Sequence, residues 1–431
     1  MRRTSIRNAL LALAALIAIG LGVATVLQIA HEARPRTDFT VYMTGAQAVL
    51  RGGGELYTAT EVHGWHYTMP PLCAICAVPL ALLPLPLASG LWYVASIALL
   101  VWSVRRAARL VTPADESPSI GVVLVPLVLC ADPLLNTLAR GQMGIAMLAA
   151  CVGALHAERK GRPFVAGLLV AFASVLKVYS GLLVLYFLCR RDWRALRGCL
   201  AGFVLFGVLI PAAVFGPRLA GSLWWQWFTG VVLPYGRPFG EALPFMELQN
   251  HMIAKNQSLY ATLAHLADML HAEPLGAGQT WIKVLAALVC VGVLVLLWTT
   301  WRSLPRQLSQ AGSSLAWSLA LMFGLLLVPT SWSHYFVLLL LPLAAAWAHV
   351  QSDAPESSRA LLRRALIAFT VLSAAYTLTS ILRPAAEQHS IWLKIVMLPR
   401  SAGLLCIATL VLGVAFARVL RRDAAAPASA V

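Results

Sequence analysis

Long apolar stretches, separated by short polar junctions, follow one another along almost the whole chain. About 20 apolar residues suffice for a helix to cross the roughly 30 Å hydrocarbon core of a bilayer. Placing each stretch by its apolar length and its ends by basic residues gives spans near residues 8–30, 86–104, 119–131, 143–157, 163–176, 178–189, 198–216, 281–300, 312–328, 335–349, 365–381 and 401–418. The pattern predicts an all-α polytopic integral membrane protein with about twelve transmembrane helices in one domain, residues 1–431.

Two longer polar stretches interrupt this pattern, at residues 31–69 and 217–279, and a short tail covers residues 421–431. Basic residues cluster beside the other junctions, which is typical of cytoplasmic loops. These clusters lie at 105–109, 159–162, 190–194, 359–364 and 418–422. The charge pattern therefore predicts two external loops, a cytoplasmic tail and cytoplasmic termini. Residues 70–104 then cross once, through 86–104, and 70–84 form a broken or re-entrant segment.

The composition agrees with a membrane protein and argues against a soluble one. Hydrophobic residues make up 60% of the chain and charged residues 12%, against about 25% charged in soluble proteins. The net charge of +16 comes from the clusters beside apolar spans, so membrane lipids rather than nucleic acid are the expected surroundings. Several mid-chain segments are too short to span a bilayer, which predicts that the middle of the chain encloses a cavity.

Asp38 stands at the start of a predicted helix in the first external loop. Apolar residues at 39, 42, 43, 46, 49 and 50 fit a helix that lies on the membrane surface and ends at the glycines that follow. One interpretation makes Asp38 the N-cap of this helix, worth about 1 kcal/mol. The other makes it a general base that takes a proton from an acceptor hydroxyl. Both roles coexist only if one carboxylate oxygen stays free.

Lys177 lies inside an apolar stretch, 164–186, that contains no acidic residue. A cation at membrane depth marks a functional site by default, and here it would await an anionic headgroup. The alternative is a short hairpin whose tip lifts Lys177 to the interface.

Three further polar residues lie at predicted external junctions. Arg140 and Gln142 are either polar groups of a hairpin or contacts to a phosphate. His334 is either an ordinary interfacial histidine or a hydrogen-bond donor to a phosphate. The chain has no DxD pair and no GxxxxGK[ST], GxGxxG, HExxH or GxSxG motif, so we expect chemistry that uses neither a metal nor a cofactor.

The order of short motifs along residues 37–345 resembles glycosyltransferase family 87, whose GT-C enzymes include mycobacterial polyprenyl-phosphate-mannose-dependent alpha-1,2-mannosyltransferases. The motifs are Asp-Phe-x-Val-Tyr from Asp38, Gly-Gly-x-Leu-Tyr ending at Tyr57, Tyr-x-x-Pro-Pro from Tyr67, Asn with Gly-Gln ending at Gln142, Leu-Lys ending at Lys177, Asn-Gln-Ser from Asn256, and Ser-Trp-Ser-His-Tyr containing His334. The chain departs from the family pattern in lacking a proline three residues after Lys177.

The resemblance implies a GT-C fold and transfer of a hexose, mannose by preference, from a polyprenyl-phosphate-sugar to a lipid-linked or glycan acceptor on the non-cytoplasmic face. It implies that Asp38 is the catalytic base and that four residues contact the donor phosphate: His334, Lys177, Arg140 and Gln142. Six other residues of these motifs are expected to line the substrate groove: Tyr42, Tyr57, Tyr67, Asn256, Gln257 and Ser333. Single displacement would invert the anomeric centre. Charge and loop lengths suit a bacterial inner membrane, with the site on its periplasmic or extracellular side.

Two other classes of protein remain open at this point. A transporter or flippase for a lipid-linked or anionic substrate would explain Lys177 and the cavity, although the chain shows no strong internal repeat. A non-catalytic assembly protein would tolerate replacement of Asp38. Turnover by the purified protein separates the three.

Overall fold

The computed structural model describes residues 16, 18–30, 37–236, 245, 253–270, 280–387 and 390–425, and within them the chain is almost entirely helical. The β-type pairings among these residues are two isolated bridges, Thr60 with His66 and Asn256 with Trp332. The α-helices are Ala18–Ala30, Asp38–Leu50, Pro71–Ala81, Leu85–Val111, Ile120–Leu129, Ala131–Ala139, Gly144–Arg159, Pro163–Leu176, Leu182–Arg190, Trp193–Gly202, Ile210–Phe215, Pro217–Trp227, Leu259–Leu270, Thr280–Ser303, Gln310–Leu327, Leu340–Gln351, Glu356–Ala386, Ser390–Ser401 and Leu404–Ala425.

Seven helical segments in the described part of the chain are long and apolar enough to cross a membrane. They are Leu85–Val111, Trp193–Phe215, Trp281–Ser303, Gln310–Leu327, Ser333–Gln351, Glu356–Ala386 and Ile391–Ala424. An eighth span results if Ile120–Leu129 and Ala131–Ala139, which meet at 67°, are taken as one broken span. The all-α membrane architecture is confirmed, but the expected count of twelve is not. The mid-chain apolar segments form helices too short to span alone, because prolines and polar turns interrupt them.

The first predicted spans differ in how much the structure shows of them. Only 18–30 of the predicted span 8–30 forms a described helix, since residues 1–15 and 17 lie outside the description. Residues 70–104 contain the short helix Pro71–Ala81 and the long helix Leu85–Val111, as the broken-segment interpretation predicts.

Three of the basic clusters meet at one end of the bundle, which we call the basic end. Arg159, the last residue of Gly144–Arg159, donates hydrogen bonds to the carbonyl oxygens of Leu110 and Gln310. Arg190 donates to the carbonyl oxygen of Leu304 at 3.1 Å. The 16-residue helix Gly144–Arg159 is about 24 Å long, so the residues just before it lie at the opposite end.

The helices differ in how deeply they are buried, and this separates the interior from the lipid-facing layer. In the apolar window of Ser333–Gln351, 89% of residues are buried, against 22% in Trp281–Ser303 and in Trp193–Phe215. Since lipid tails are as apolar as the protein interior, the outer helices can expose apolar side chains. Ser333–Gln351 is therefore a central element, and the residues at its start are held inside the protein.

The helix predicted in the first external loop is present as Asp38–Leu50, and one face of it is buried against the rest of the protein. It packs against Pro71–Ala81, and Gly45 lies under the ring of Tyr67 so closely that a Cβ there would be 2.4 Å from that ring. Thr37 occupies the N-cap position and Asp38 the first turn, without a side-chain cap hydrogen bond. The N-cap interpretation of Asp38 is therefore wrong. Its carboxylate still suits the positive end of the helix dipole.

Candidate active site

A polar cavity of about 190 Å³ lies at the end of the bundle opposite the basic end. Its walls come from segments far apart in sequence: the start of Asp38–Leu50, the extended residues 65–69, the turn after Ala131–Ala139, the loop residues 253–255 and the start of Ser333–Leu339. Six of the eleven residues expected at the site lie in its walls: Asp38, Tyr42, Arg140, Gln142, Ser333 and His334. A seventh, Lys177, bonds to the wall residue Gln142 through its side chain.

A chain of hydrogen bonds holds Asp38 at the cavity wall. One carboxylate oxygen, Oδ2, lies 3.4 Å from Nη1 of Arg140, whose Nε donates to Oδ1 of Asn136 at 2.7 Å. Asn136 in turn donates from Nδ2 to Oγ of Ser333 at 3.0 Å. The other oxygen of Asp38 makes no hydrogen bond with a described residue, and 18% of the side chain is exposed to the cavity. Asp38 is thus oriented through one oxygen, and the second oxygen is available to a substrate.

Local backbone structure explains why Arg140 reaches Asp38. Asn136 and Arg140 stand four residues apart, on the same face at the end of Ala131–Ala139. Gly141 then turns the chain with φ of +63°, a conformation that favours glycine. The backbone N–H of Phe39 donates to the carbonyl oxygen of Arg140 at 3.1 Å. The two segments that carry the ion pair are therefore joined through the backbone as well.

Lys177 is buried within the protein, with 6% of its surface exposed. Its Nζ donates to Oε1 of Gln142 at 3.0 Å and lies 4.0 Å from the ring centroid of Tyr335. The hydroxyl of Tyr42 donates to the same Gln142 oxygen at 2.6 Å. Among the described residues no carboxylate forms a salt bridge with Lys177, so the ammonium group is held by a neutral amide and an aromatic ring. This is a buried positive charge that an anionic ligand would complete.

His334 and Lys255 add two more nitrogen groups to the cavity. The Nε2 atom of His334 is buried and makes no hydrogen bond with a described residue, which is costly unless a ligand supplies a partner. Lys255, in the second external loop, has its pKa lowered to about 8 by burial and by the nearby Arg140, Arg383 and Arg400. We did not expect Lys255 at the site, because nothing in the sequence near it indicates which side of the loop faces the cavity.

Four of the expected groove residues do not reach the cavity wall. The hydroxyls of Tyr57 and Tyr67 donate to the carbonyl oxygens of Met69 and Pro70. These bonds fix the backbone next to the cavity. Asn256 and Gln257 are fully buried. Asn256 bonds to Ser331 N and Pro329 O, and Gln257 bonds to Arg400 O, so both side chains hold loops together.

An apolar groove adjoins the polar cavity, and the two share Thr68, Met69 and Tyr335 in their walls. Its lining is dominated by aliphatic and aromatic side chains, with Lys177 as the cation. Lys177 therefore connects the two spaces, because it lines the apolar groove and its Nζ bonds to Gln142 in the wall of the polar cavity. The arrangement suits a ligand with a charged head beside a long apolar tail.

Comparison with known proteins agrees with this geometry. The profile of glycosyltransferase family 87 matches residues 65–329, more than half of the chain. The chain belongs to glycosyltransferase family 87. It is therefore a membrane glycosyltransferase, and the transporter and scaffold interpretations are set aside.

Two curated relatives of this family 87 chain carry informative names. One is the polyprenol-phosphate-mannose-dependent alpha-(1-2)-phosphatidylinositol mannoside mannosyltransferase of Mycobacterium tuberculosis, 28% identical over 71% of this chain and 68% of that protein. Another is the corresponding phosphatidylinositol pentamannoside mannosyltransferase of Mycolicibacterium smegmatis, 28% identical over 79% and 76%. Among solved structures, ArnT from Cupriavidus metallidurans bound to undecaprenyl phosphate matches with 14% identity and a TM-score of 0.37, over 93% of this chain and 77% of that one.

The described residues of the family 87 chain contain no group of three or more His, Cys, Asp or Glu side chains that could hold a metal ion. Metal-independent transfer is still a prediction, and the experiment below tests it with a chelator.

Proposed function

We propose that this protein transfers a mannose residue from polyprenyl-phosphate-mannose to a hydroxyl of a lipid-linked or glycan acceptor, with Asp38 as the general base. The donor and the sugar are suggested by the names of the relatives, which depend on polyprenol-phosphate-mannose. The acceptors in those names are phosphatidylinositol mannosides. We infer only the broader acceptor class for this chain.

One observation carries the proposal. A carboxylate with one oxygen fixed by Arg140 and the other available lies at a cavity that also contains Lys255 and His334 and adjoins Lys177. A base and a set of cations at one small cavity are what a hydroxyl nucleophile and a phosphate leaving group require.

The reaction divides its charges between these residues. Asp38 accepts the proton of the acceptor hydroxyl as its oxygen bonds to the anomeric carbon. The bond from that carbon to the phosphate oxygen breaks at the same time, and the electron pair leaves with the polyprenyl phosphate. Lys177 and Lys255 stabilise the negative charge that develops on the phosphate, and His334 supplies a hydrogen bond. Because the phosphate leaves as a stable anion, no general acid is needed, and single displacement inverts the anomeric centre.

The polar cavity and the apolar groove would each hold a different part of the donor. The polyprenyl tail would occupy the apolar groove, where Val231, Val232 and Val328 are among the lining residues. The sugar would occupy the polar cavity, where Trp65 offers an aromatic surface of the kind on which sugar rings pack. Lys177 stands at the boundary, the position of the phosphate. We place this site on the periplasmic or extracellular side of a bacterial inner membrane, because the opposite end carries the basic clusters.

The test measures sugar transfer by purified full-length protein in nanodiscs, with labelled polyprenyl-phosphate-mannose, a mixed lipid acceptor extract and EDTA. Asp38→Asn is compared with the wild type and with Asp132→Asn. Asp132 is a matched control, since it lies in the same region but accepts its hydrogen bond from Ser380 and does not line the cavity. A general base contributes about 10²- to 10⁴-fold, so we expect a loss of that size for Asp38→Asn and less than about threefold for Asp132→Asn.

Donor binding gives the second readout. Asp38→Asn should still bind the donor, because the phosphate contacts are untouched. Full activity of Asp38→Asn would rule out the base, and loss of wild-type transfer in EDTA would rule out a metal-free reaction. Transfer from another polyprenyl-phosphate-sugar at a higher kcat/KM would replace mannose while leaving the mechanism intact.

A further inference from the structure

A second cavity, larger than the first, lies at the basic end of the bundle and has no part in the proposed reaction. Its volume is about 1100 Å³. Five arginines line it, from the ends of Gly144–Arg159, Leu182–Arg190 and Thr280–Ser303 and from the loops that follow them: Arg159, Arg190, Arg191, Arg302 and Arg306. We call it the arginine cavity.

Two of these arginines build the walls. The terminal nitrogens of Arg190 donate to the carbonyl oxygens of Leu304, Pro305 and Arg306 at 2.6 to 3.1 Å, which fixes the loop after Thr280–Ser303. Arg159 donates to the carbonyl oxygen of Gln310 and to the hydroxyls of Ser313 and Ser314, all at the start of the helix Gln310–Leu327. Its Nε is nevertheless buried and makes no hydrogen bond with a described residue. A buried donor without a partner points to a missing acceptor.

The other three arginines, Arg191, Arg302 and Arg306, do not bond to the described residues of the cavity walls. The guanidinium groups of Arg191, Arg302 and Arg306 make no hydrogen bond or ion pair with a described residue, and all three side chains are exposed. Arg302 only stacks near Trp298, with 5.8 Å from its Cζ to the ring centroid. Arg191 has a positive φ of 55° at the C-cap of Leu182–Arg190.

The two acidic residues of the arginine cavity, Glu158 and Asp192, form no salt bridge with Arg191, Arg302 or Arg306. Asp192 accepts the backbone N–H of Ala195 as a helix N-cap, and Glu158 accepts the hydroxyl of Tyr186. The second oxygen of Glu158 is buried without a hydrogen bond to a described residue. The five arginines of the cavity outnumber its two acids. A cavity with several unpaired guanidinium groups suits an anion such as phosphate, because the planar fork of arginine matches phosphate oxygens.

We propose that the arginine cavity binds a phosphate group, carried by the headgroup of an anionic phospholipid. The lipid source follows from two apolar side chains that also line the cavity. Trp193 is 62% exposed and Leu308 is partly exposed, at the end of the bundle where apolar spans give way to basic loops. Basic pockets between helices on the cytoplasmic side are suited to anionic headgroups. A soluble phosphate compound would use the same contacts, and the experiment separates the two sources.

The experiment titrates purified full-length protein with phosphatidylglycerol or phosphatidylcholine and counts retained lipids by native mass spectrometry. The test variant is Arg191→Gln/Arg302→Gln/Arg306→Gln. The matched control is Arg105→Gln/Arg106→Gln/Arg109→Gln, which removes three arginines from the same end outside the cavity. We expect wild type to prefer phosphatidylglycerol, the test variant to bind it about tenfold more weakly or worse, and the control to change less than twofold.

A competition arm adds inorganic phosphate or glycerol 3-phosphate. Displacement of the lipid only at high concentration supports the lipid source, whereas tight binding of the soluble compound, lost in the test variant, assigns the same phosphate site to a soluble ligand. Equal losses in the test variant and the control, or no preference for phosphatidylglycerol, would overturn the proposal. Arg302→Gln alone, with a thermal unfolding midpoint within a few degrees of wild type, keeps the test valid if the triple variant fails to fold.

Discussion

The polar cavity and the arginine cavity differ in how their positively charged side chains are held. At the candidate active site, Arg140 bonds to Asp38 and Asn136, and Lys177 is buried against Gln142 and Tyr335. In the arginine cavity, three arginines stand exposed and unpaired around a space several times larger. In the smaller cavity the fold fixes the direction of Arg140 and Lys177, and in the larger one it leaves three arginines without a fixed direction.

The difference shows what separates a buried cation from an exposed cation in a membrane protein. A buried cation keeps most of its electrostatic effect because salt and water screen it little, and its geometry is set by the fold. An exposed arginine contributes affinity that falls with salt. Variants at the first cavity should therefore change rate and donor affinity sharply, and variants at the second should change lipid affinity in a salt-dependent way.

The strongest test of this contrast is Lys177→Met. Removing a buried cation that pairs with a ligand phosphate should weaken donor binding about 100-fold. The thermal unfolding midpoint should stay or rise, because the protein no longer buries a charge without a carboxylate partner. Labelled donor binding and unfolding in detergent measure the two effects. Lys160→Met, an exposed lysine at the basic end, is the control, and unchanged donor affinity in Lys177→Met would contradict the phosphate assignment.

Arg140→Gln separates positioning from binding. Without Arg140 the carboxylate of Asp38 is no longer held, and misplacement of a reacting group lowers the rate by about ten- to 100-fold. We expect the loss in kcat, with a smaller change in KM. Asn136→Ala should show the same kcat pattern more weakly, since it removes the bond that aligns Arg140 and the bond to Ser333 but keeps the contact between Arg140 and Asp38. An increase in KM alone would instead make Arg140 a substrate contact.

Two glycines offer a matched pair for stability at the two ends. Gly141 and Gly161 have similar positive φ values, +63° and +68°. A Cβ on Gly141 would lie 2.8 Å from Phe39, whereas a Cβ on Gly161 meets nothing within 4 Å. Gly161→Ala should cost about 1 kcal/mol from backbone strain, and Gly141→Ala about 2 to 3 kcal/mol from strain plus overpacking. Thermal unfolding of both variants checks this, and equal costs would show that Phe39 moves aside.

The smallest expected effect is a pH dependence that comes from Lys255. Its pKa of about 8 without donor means that it is charged at neutral pH, and a bound phosphate would raise that pKa. Its contribution to affinity is therefore complete below about pH 8 and is lost as the pH rises through the higher pKa of the complex. Donor affinity measured from pH 7 to 9.5 should fall a few-fold, and Lys255→Gln should flatten the curve. An equally steep curve in the variant would assign the titration to another group.

The sequence by itself determined the class of the protein and pointed to several residues of the candidate site. Apolar length predicts Leu85–Val111 and most later helices, because a membrane span needs a continuous apolar run. Lys177 could be found because a cation in an apolar stretch is costly, and Asp38 could be found from the motif order. The number of full-length spans could not be predicted from the sequence, because apolar length does not show where a short helix ends within the protein.

Only the tertiary structure decided which residues share a cavity. Asp38 and Arg140 are 102 positions apart, and no local pattern shows that one carboxylate oxygen faces Arg140 while the other is available. The motif residues Asn256 and Gln257 turned out to be buried loop connectors, whereas Lys255 beside them lines the cavity. Side-chain direction in an irregular loop depends on the segments packed around it. Local sequence therefore determines the helices, and long-range packing determines the site.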